Sequence, residues 1–172
     1  MTPEQAKEYH MTQIKNIKEN TSADMITGKT LTYVDEAIGF AQAANEVGMP
    51  VMISFTVETD GKLPGGVTLA SAIEQVDKAA KVLYYSINCA HPLHFNNIFD
   101  EDTTGHLKRV RGLRCNSSKK SHAELDESTE LDAGNPEESA QLISELIKKH
   151  PHIVSLGGCC GTNTPHIEAI AQ

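Results

Sequence analysis

The stretch SLGGCCGTNTPHI, residues 155–167, sets two adjacent cysteines between glycines, and a third cysteine, Cys89, follows Asn88 in SINCAHPLHF, residues 86–95. Thiolates suit a borderline-soft ion such as zinc, which takes sulfur at about 2.3 Å; three protein ligands leave a fourth position for a substrate. Adjacent ligands pose a geometric difficulty. Successive side chains of a strand point to opposite faces, so Cys159 and Cys160 reach one ion only where the backbone turns sharply. The flanking Gly157, Gly158 and Gly161 permit that turn, because glycine takes positive φ without penalty and adds no bulk beside a metal. Cys89 would supply the third thiolate from another strand end. The same residues admit a plainer reading, in which Cys159 and Cys160 are small apolar side chains in a tight turn, or a vicinal disulfide, and Cys89 is buried in a strand.

Asn88 either hydrogen-bonds a substrate, orients the site, or caps backbone at a strand end. His91 and His94 are spaced to face one metal from a helix, but Pro92 opens that helix and a local structural role is favoured. His166 follows Thr164 and Pro165, an N-cap and first-turn pair, and reads as packing or surface. Cys115, flanked by Arg114 and Asn116, reads as core or near-surface. TGKT (27–30) is no phosphate loop, since the glycine expected five positions before Gly28 is Ala23. The acidic stretch 122–139 lacks the spaced oxygen ligands and central glycine of a calcium loop and reads as a solvated loop.

Elements must bring these residues together. Apolar periodicity and capping residues predict helices at 3–19, 32–47, 69–80 and 136–149, a short last helix from Pro165, and an irregular helical region at 91–99. Strands are expected at 23–27, 50–57, 82–89, 110–116 and 153–156. Five continuously apolar strands, each followed by a helix, indicate an α/β fold with a parallel sheet covered by helices, within a single domain spanning 1–172. Periodicity leaves open whether the sheet is doubly wound or part of a (β/α)8 barrel. Both architectures put function at the carboxyl ends of strands, and DGKLPGG (60–66), Asn88-Cys89 and GGCCG (157–161) fall there.

Composition narrows the function classes. The 172 residues are 39% hydrophobic and 22% charged, as in a folded globular protein, and 15 basic against 23 acidic residues give a net charge of −8. Without a basic cluster, nucleic acid is a poor partner. No leader-like start and no apolar run of about 18 residues appears, so no membrane association and a cytoplasmic location are expected. Four scattered cysteines are too few for a disulfide framework and point to metal binding or reactivity.

Taken together, GGCCGTNTPHI, SINCAHPLHF and SFTVETDGKLPGG (54–66) resemble the zinc-dependent homocysteine S-methyltransferase family, and within it the branch that uses S-methylmethionine. The likeness runs nearly end to end, including VRGLRCNSS (110–118). It implies that Cys89, Cys159 and Cys160 correspond to the ligands of zinc (Zn2+). It also implies the C-terminal part of a (β/α)8 TIM-type barrel, with about five βα units. The implied activity is transfer of a methyl group from a sulfonium donor, S-methylmethionine or S-adenosylmethionine, to the thiol of L-homocysteine, giving methionine. Two departures stand out. The family carries about three further strands before the point matched by residue 1, with positions that help grip homocysteine. Lys29 stands where the family tends to have a glutamate that meets the substrate ammonium. Five strands cannot close a barrel, and open parallel edges attract pairing. The chain is therefore expected to be a piece of a longer enzyme, to complete its sheet with a partner or second copy, or to hold zinc without turnover as a non-catalytic domain. A zinc hydrolase would predict His or carboxylate ligands rather than three sulfurs.

Overall fold

The computed structural model describes residues 1–172. Five strands, β1 (Ile26–Leu31), β2 (Val51–Phe55), β3 (Tyr84–Asn88), β4 (Val110–Cys115) and β5 (Ser155–Gly158), pair in parallel in the order β1-β2-β3-β4-β5. Between and around them lie α1 (Pro3–Asn20), α2 (Val34–Glu46), α3 (Leu69–Ala79), α4 (Pro92–Glu101), α5 (His122–Asp126), α6 (Pro136–Lys149) and α7 (Thr164–Ile170). Sequential order means that every crossover steps the same way. Right-handed crossovers then put the covering helices on one side, as in a (β/α)8 barrel; a doubly wound sheet reverses its order and carries helices on both sides. The fold is α/β, with the parallel sheet of an incomplete TIM-type barrel.

The two faces of the sheet differ in chemistry. Ile26, Ile53, Phe55, Tyr85, Ile87 and Leu113 join Ala37, Phe40, Ile73, Val76, Phe95 and Ile143 of the helices in one buried cluster. Removing such side chains from water supplies about 1.5–3 kcal/mol each and holds the helices on the sheet. The opposite face carries Ser54, Ser86, Asn88, Gly112, Arg114, Ser155 and Gly157, brought into rows by the strand register.

Local chemistry accounts for where the observed elements depart from expectation. Strand β1 begins later than the expected 23–27 because Thr27 and Gly28 of polar TGKT are themselves paired and the strand resumes at Leu31 after an irregularity at Lys29 and Thr30. An edge strand tolerates such polarity, and the apolar residues before it mark the approach rather than the ladder. Strand β5 is similarly shifted from 153–156 into the glycine pair. The region after His91 is a regular helix: Pro92 occupies its first turn and His91 Nδ1 accepts from the Leu93 N–H at 3.2 Å. The acidic stretch contains α5, started by a reciprocal Ser121–Glu124 cap. Helix α7 is capped by Asn163, one residue before the expected Thr164.

His91 is only 1% exposed, and burial, then His94 and Lys119, hold its pKa down at about 4. An imidazole of the unfolded chain takes its proton near pH 6.5. Stability is therefore intact above about pH 6.5 and declines as pH falls toward 4, by roughly 2 kcal/mol from this group. Urea unfolding of the chelator-treated chain should show that decline, and His91→Asn should flatten it while lowering stability at pH 7. Equal slopes in both proteins would contradict the assignment.

Candidate metal centre

The site is built where β3 and β5 end. After Asn88 the chain turns through Cys89 with φ 55, and the only other non-glycine residue with positive φ is Thr30, at φ 58. Each such residue costs about 1 kcal/mol or more, so surrounding contacts must hold it. One amide does so for both. Asn88 is 3% exposed; its Oδ1 accepts from Ser54 Oγ at 2.6 Å and from the Thr30 N–H at 3.0 Å. Its Nδ2 donates to Thr30 Oγ1 at 2.8 Å and to Cys89 Sγ at 3.1 Å.

The Cys89 carbonyl is fixed from the other side by His122, whose Nε2 lies 2.6 Å away, while His122 Nδ1 lies 3.1 Å from Glu58 Oε1. Carbonyl and carboxylate both only accept, so this geometry favours a proton on each ring nitrogen, the imidazolium form of His122. Burial opposes that charge, but the Cys89 carbonyl and Glu58 outweigh it and raise the pKa. Sequence reasoning missed this pair, which joins the loop after β2 to α5 across 64 positions.

At β5 the Cys159 N–H donates to the Cys115 carbonyl at 2.8 Å, extending the ladder, and the Cys159 carbonyl accepts from Thr162 Oγ1 at 2.7 Å. The Cys160 N–H donates to Asn116 Oδ1 at 3.2 Å, and its carbonyl accepts from the Ser117 N–H at 3.0 Å. Two glycines make this turn feasible. A Cβ on Gly158 would stand 2.1 Å from Thr162 Oγ1, and one on Gly161, at φ 78, would stand 2.0 Å from Ser117 Oγ. All four cysteines are free thiols, so Cys159 and Cys160 form no vicinal disulfide.

Cys159 Sγ and Cys160 Sγ are 4.0 Å apart, and the sulfurs of Cys89, Cys159 and Cys160 all lie within 4.8 Å of one another. Ligands at about 2.3 Å around a tetrahedral ion lie about 3.8 Å apart, so this triangle fits one zinc-sized thiophilic cation. Without such a cation the thiols oppose one another's ionisation. Burial first, then Cys159 and Cys160, push Cys89 up to about 12 against the pull of the Asn88 amide. Cys160 is raised by burial and by Cys159. Cys159 is also penalised by burial, yet hydrogen bonds from its two partners lower it. Cys115 is 3% exposed on the helix-facing side, and its thiol is pushed by burial to about 12.

A cavity of about 420 Å³ opens beside the triangle, lined by Cys89, Asn116, His122, Asp126, Glu130 and Cys160 among others. The DGKLPGG loop instead borders a smaller depression of about 260 Å³ that shares no residue with the cysteine site. His94 Nε2 meets the Lys119 carbonyl at 2.9 Å, and His166, 2% exposed, lies between Asn163 and the Ala133 carbonyl. Lys29 is exposed at the β1 irregularity.

Losing the amide that holds Cys89 should weaken metal binding by about 10–100-fold, in the range of other outer-shell substitutions. Competition of the Asn88→Ala variant against a chromophoric chelator measures this. Affinity should also fall as pH falls in either protein, because the raised Cys89 and Cys160 must shed protons to bind. Unchanged affinity in the variant contradicts the role given to Asn88.

Among curated protein sequences no relative matches this chain. Solved structures do. The homocysteine methyltransferase MmuM from Escherichia coli in its apo form is 18% identical with a TM-score of 0.70, covering 99% of this chain and 57% of that one. Its metallated form is 18% identical with a TM-score of 0.71, covering 99% and 51%. Its oxidized form is 19% identical with a TM-score of 0.67, covering 99% and 52%. At such identity the likeness is one of fold, and the chain spans about half the length of these solved chains. The model of the homocysteine S-methyltransferase family matches residues 1–172, and the chain belongs to that family.

Proposed function

We propose that this chain is the metal-binding part of a zinc-dependent homocysteine S-methyltransferase, with Cys89, Cys159 and Cys160 as the zinc ligands. The observation that carries this reading is the convergence of three free thiols from β3 and β5, within 4.8 Å of one another, in a member of that family. Zinc held there would take the homocysteine thiol in a remaining position and favour its thiolate over a free thiol of pKa about 8.5.

The chain's own residues supply position and charge. Asn88 donates to Cys89 Sγ and has both amide hydrogens and both oxygen lone pairs engaged within the protein, which supports an orienting role. His122 pins the Cys89 carbonyl and, in the imidazolium form that Glu58 favours, adds positive charge beside the triangle. Asp126 and Glu130, lining the adjoining cavity with Cys160, suit a cationic sulfonium, with S-methylmethionine the leading donor and S-adenosylmethionine next. The donor's S–methyl bond breaks as the bond to the homocysteine sulfur forms, and the donor leaves as a neutral thioether. No side chain is needed as a general acid. Free thiols as ligands call for a reducing compartment, and the cytoplasm is the setting we propose.

A second reading is favoured by the sheet itself: β1 and β5 each pair on one side only, and the chain spans about half the length of the structures it resembles. It is then a zinc-binding domain that turns over only when further strands, from a longer chain or a partner, complete the barrel. Mixing the zinc-loaded chain with homocysteine should release about one proton per site. Adding S-methylmethionine should then yield methionine. Proton release without methionine from any sulfonium donor supports the second reading, and the absence of both rejects a thiol-accepting metal.

A further inference from the structure

The sheet face turned away from the helices is lined mainly by small, uncharged residues. Ser54, Ser86, Gly112 and Ser155 share one row across β2 to β5. A Cβ on Gly112 would come within 3.0 Å of Ser86 Oγ and 3.7 Å of Ser155 Cβ, which confirms that these positions face one another. Arg114 lies on the same face, two residues after Gly112. Gly28 points the other way, toward Phe40 of α2, and exposed Lys29 stands in the irregularity that follows it, one residue before Thr30. Both cations are exposed and neither makes a salt bridge or a side-chain hydrogen bond, on a chain of net charge −8.

Their places relative to the cysteines are specific. Strand β4 lies between β3 and β5, and the Arg114 Cα is in register with Asn88 on one side and Gly157 on the other. Arg114 therefore stands between the strand ends that carry Cys89 and the Cys159–Cys160 pair. Its guanidinium lies over Gly157, with Cζ 3.5 Å from where a Cβ would be, so the glycine leaves room for it. Lys29 precedes Thr30, whose Oγ1 is 4.0 Å from Cys89 Sγ. A planar guanidinium grips a carboxylate through two parallel N–H donors, and a nearby ammonium adds attraction without geometric demand.

Building on the thiol-accepting reading above, we propose that Arg114, assisted by Lys29, receives the carboxylate of the thiol substrate. The site thereby selects thiols that bear an acidic group a few bonds from sulfur. The five strands carry no Asp or Glu, and the carboxylates of Asp126 and Glu130 line the cavity beside Cys160 instead. The substrate class is mercaptocarboxylates, of which homocysteine is one member.

The test is calorimetric binding to the metal-loaded full chain of three thiols: homocysteine, 4-mercaptobutyrate, which lacks the ammonium, and 3-mercaptopropylamine, which lacks the carboxylate. The first two should bind within about threefold of each other and the third at least about tenfold more weakly, the scale of one charge-assisted bidentate contact. Arg114→Met should weaken the first two about tenfold and leave the third unchanged, with Lys29→Met acting in the same direction to a smaller extent. Circular dichroism and metal content show whether each variant is folded and loaded; the wild-type series decides even if one is not. Equal binding of the three thiols, or discrimination that survives in a folded Arg114→Met chain, overturns this proposal alone. Binding of none of them overturns it together with the thiol-accepting site.

Discussion

Two strand ends separated by a third must bring their sulfurs together, and the rest of the site follows from that demand. With β4 between them, β3 and β5 lie about 10 Å apart, yet Cys89 Sγ falls within 4.8 Å of the Cys159 and Cys160 sulfurs. Neither strand could achieve this by extending straight. Cys89 leaves β3 in a left-handed conformation, and β5 runs into a turn so tight that only glycine fits at 158 and 161. The Asn88 carboxamide stabilises the first bend, while Asn116 and Ser117, from the end of β4, receive the second. The intervening strand is thus a structural bridge between the two halves of the triangle.

Charge is sorted around this triangle. Burial first, and then the neighbouring sulfurs, hold Cys89 and Cys160 in their protonated forms in the absence of a cation. His122 sits behind Cys89, Arg114 lies on the open sheet face with Lys29 at the β1 irregularity, and Asp126 and Glu130 line the cavity beside Cys160. The acidic thiol and cationic sulfonium proposed above have opposite electrostatic preferences, and the two sides of the site would suit them separately.

Much of this was legible in the sequence wherever chemistry is local. Helical periodicity and caps such as Asn135 with Pro136 located α2, α3 and α6 closely, and the apolar runs located β2, β3 and β4. The slips at β1 and β5 arose where polar or glycine residues enter the ladder at the sheet's two edges, so that apolarity preceded the strand instead of coinciding with it. The glycines around Cys159 and Cys160 pointed to a sharp turn, and Thr162 and Ser117 now supply the steric reason. What remained illegible was long-range. Nothing near His122 or Glu58 announces that they meet at the Cys89 carbonyl, and no periodicity tells that the strand order is sequential.

The central claim is that one ion is shared by sulfurs of residues from two strand ends. X-ray absorption at the zinc edge of the loaded chain measures this directly. The account predicts three sulfurs at about 2.3 Å with one lighter neighbour, and the loss of one sulfur in the Cys89→Ser protein. A shell of two sulfurs or fewer that is identical with and without the Cys89 thiol would contradict it.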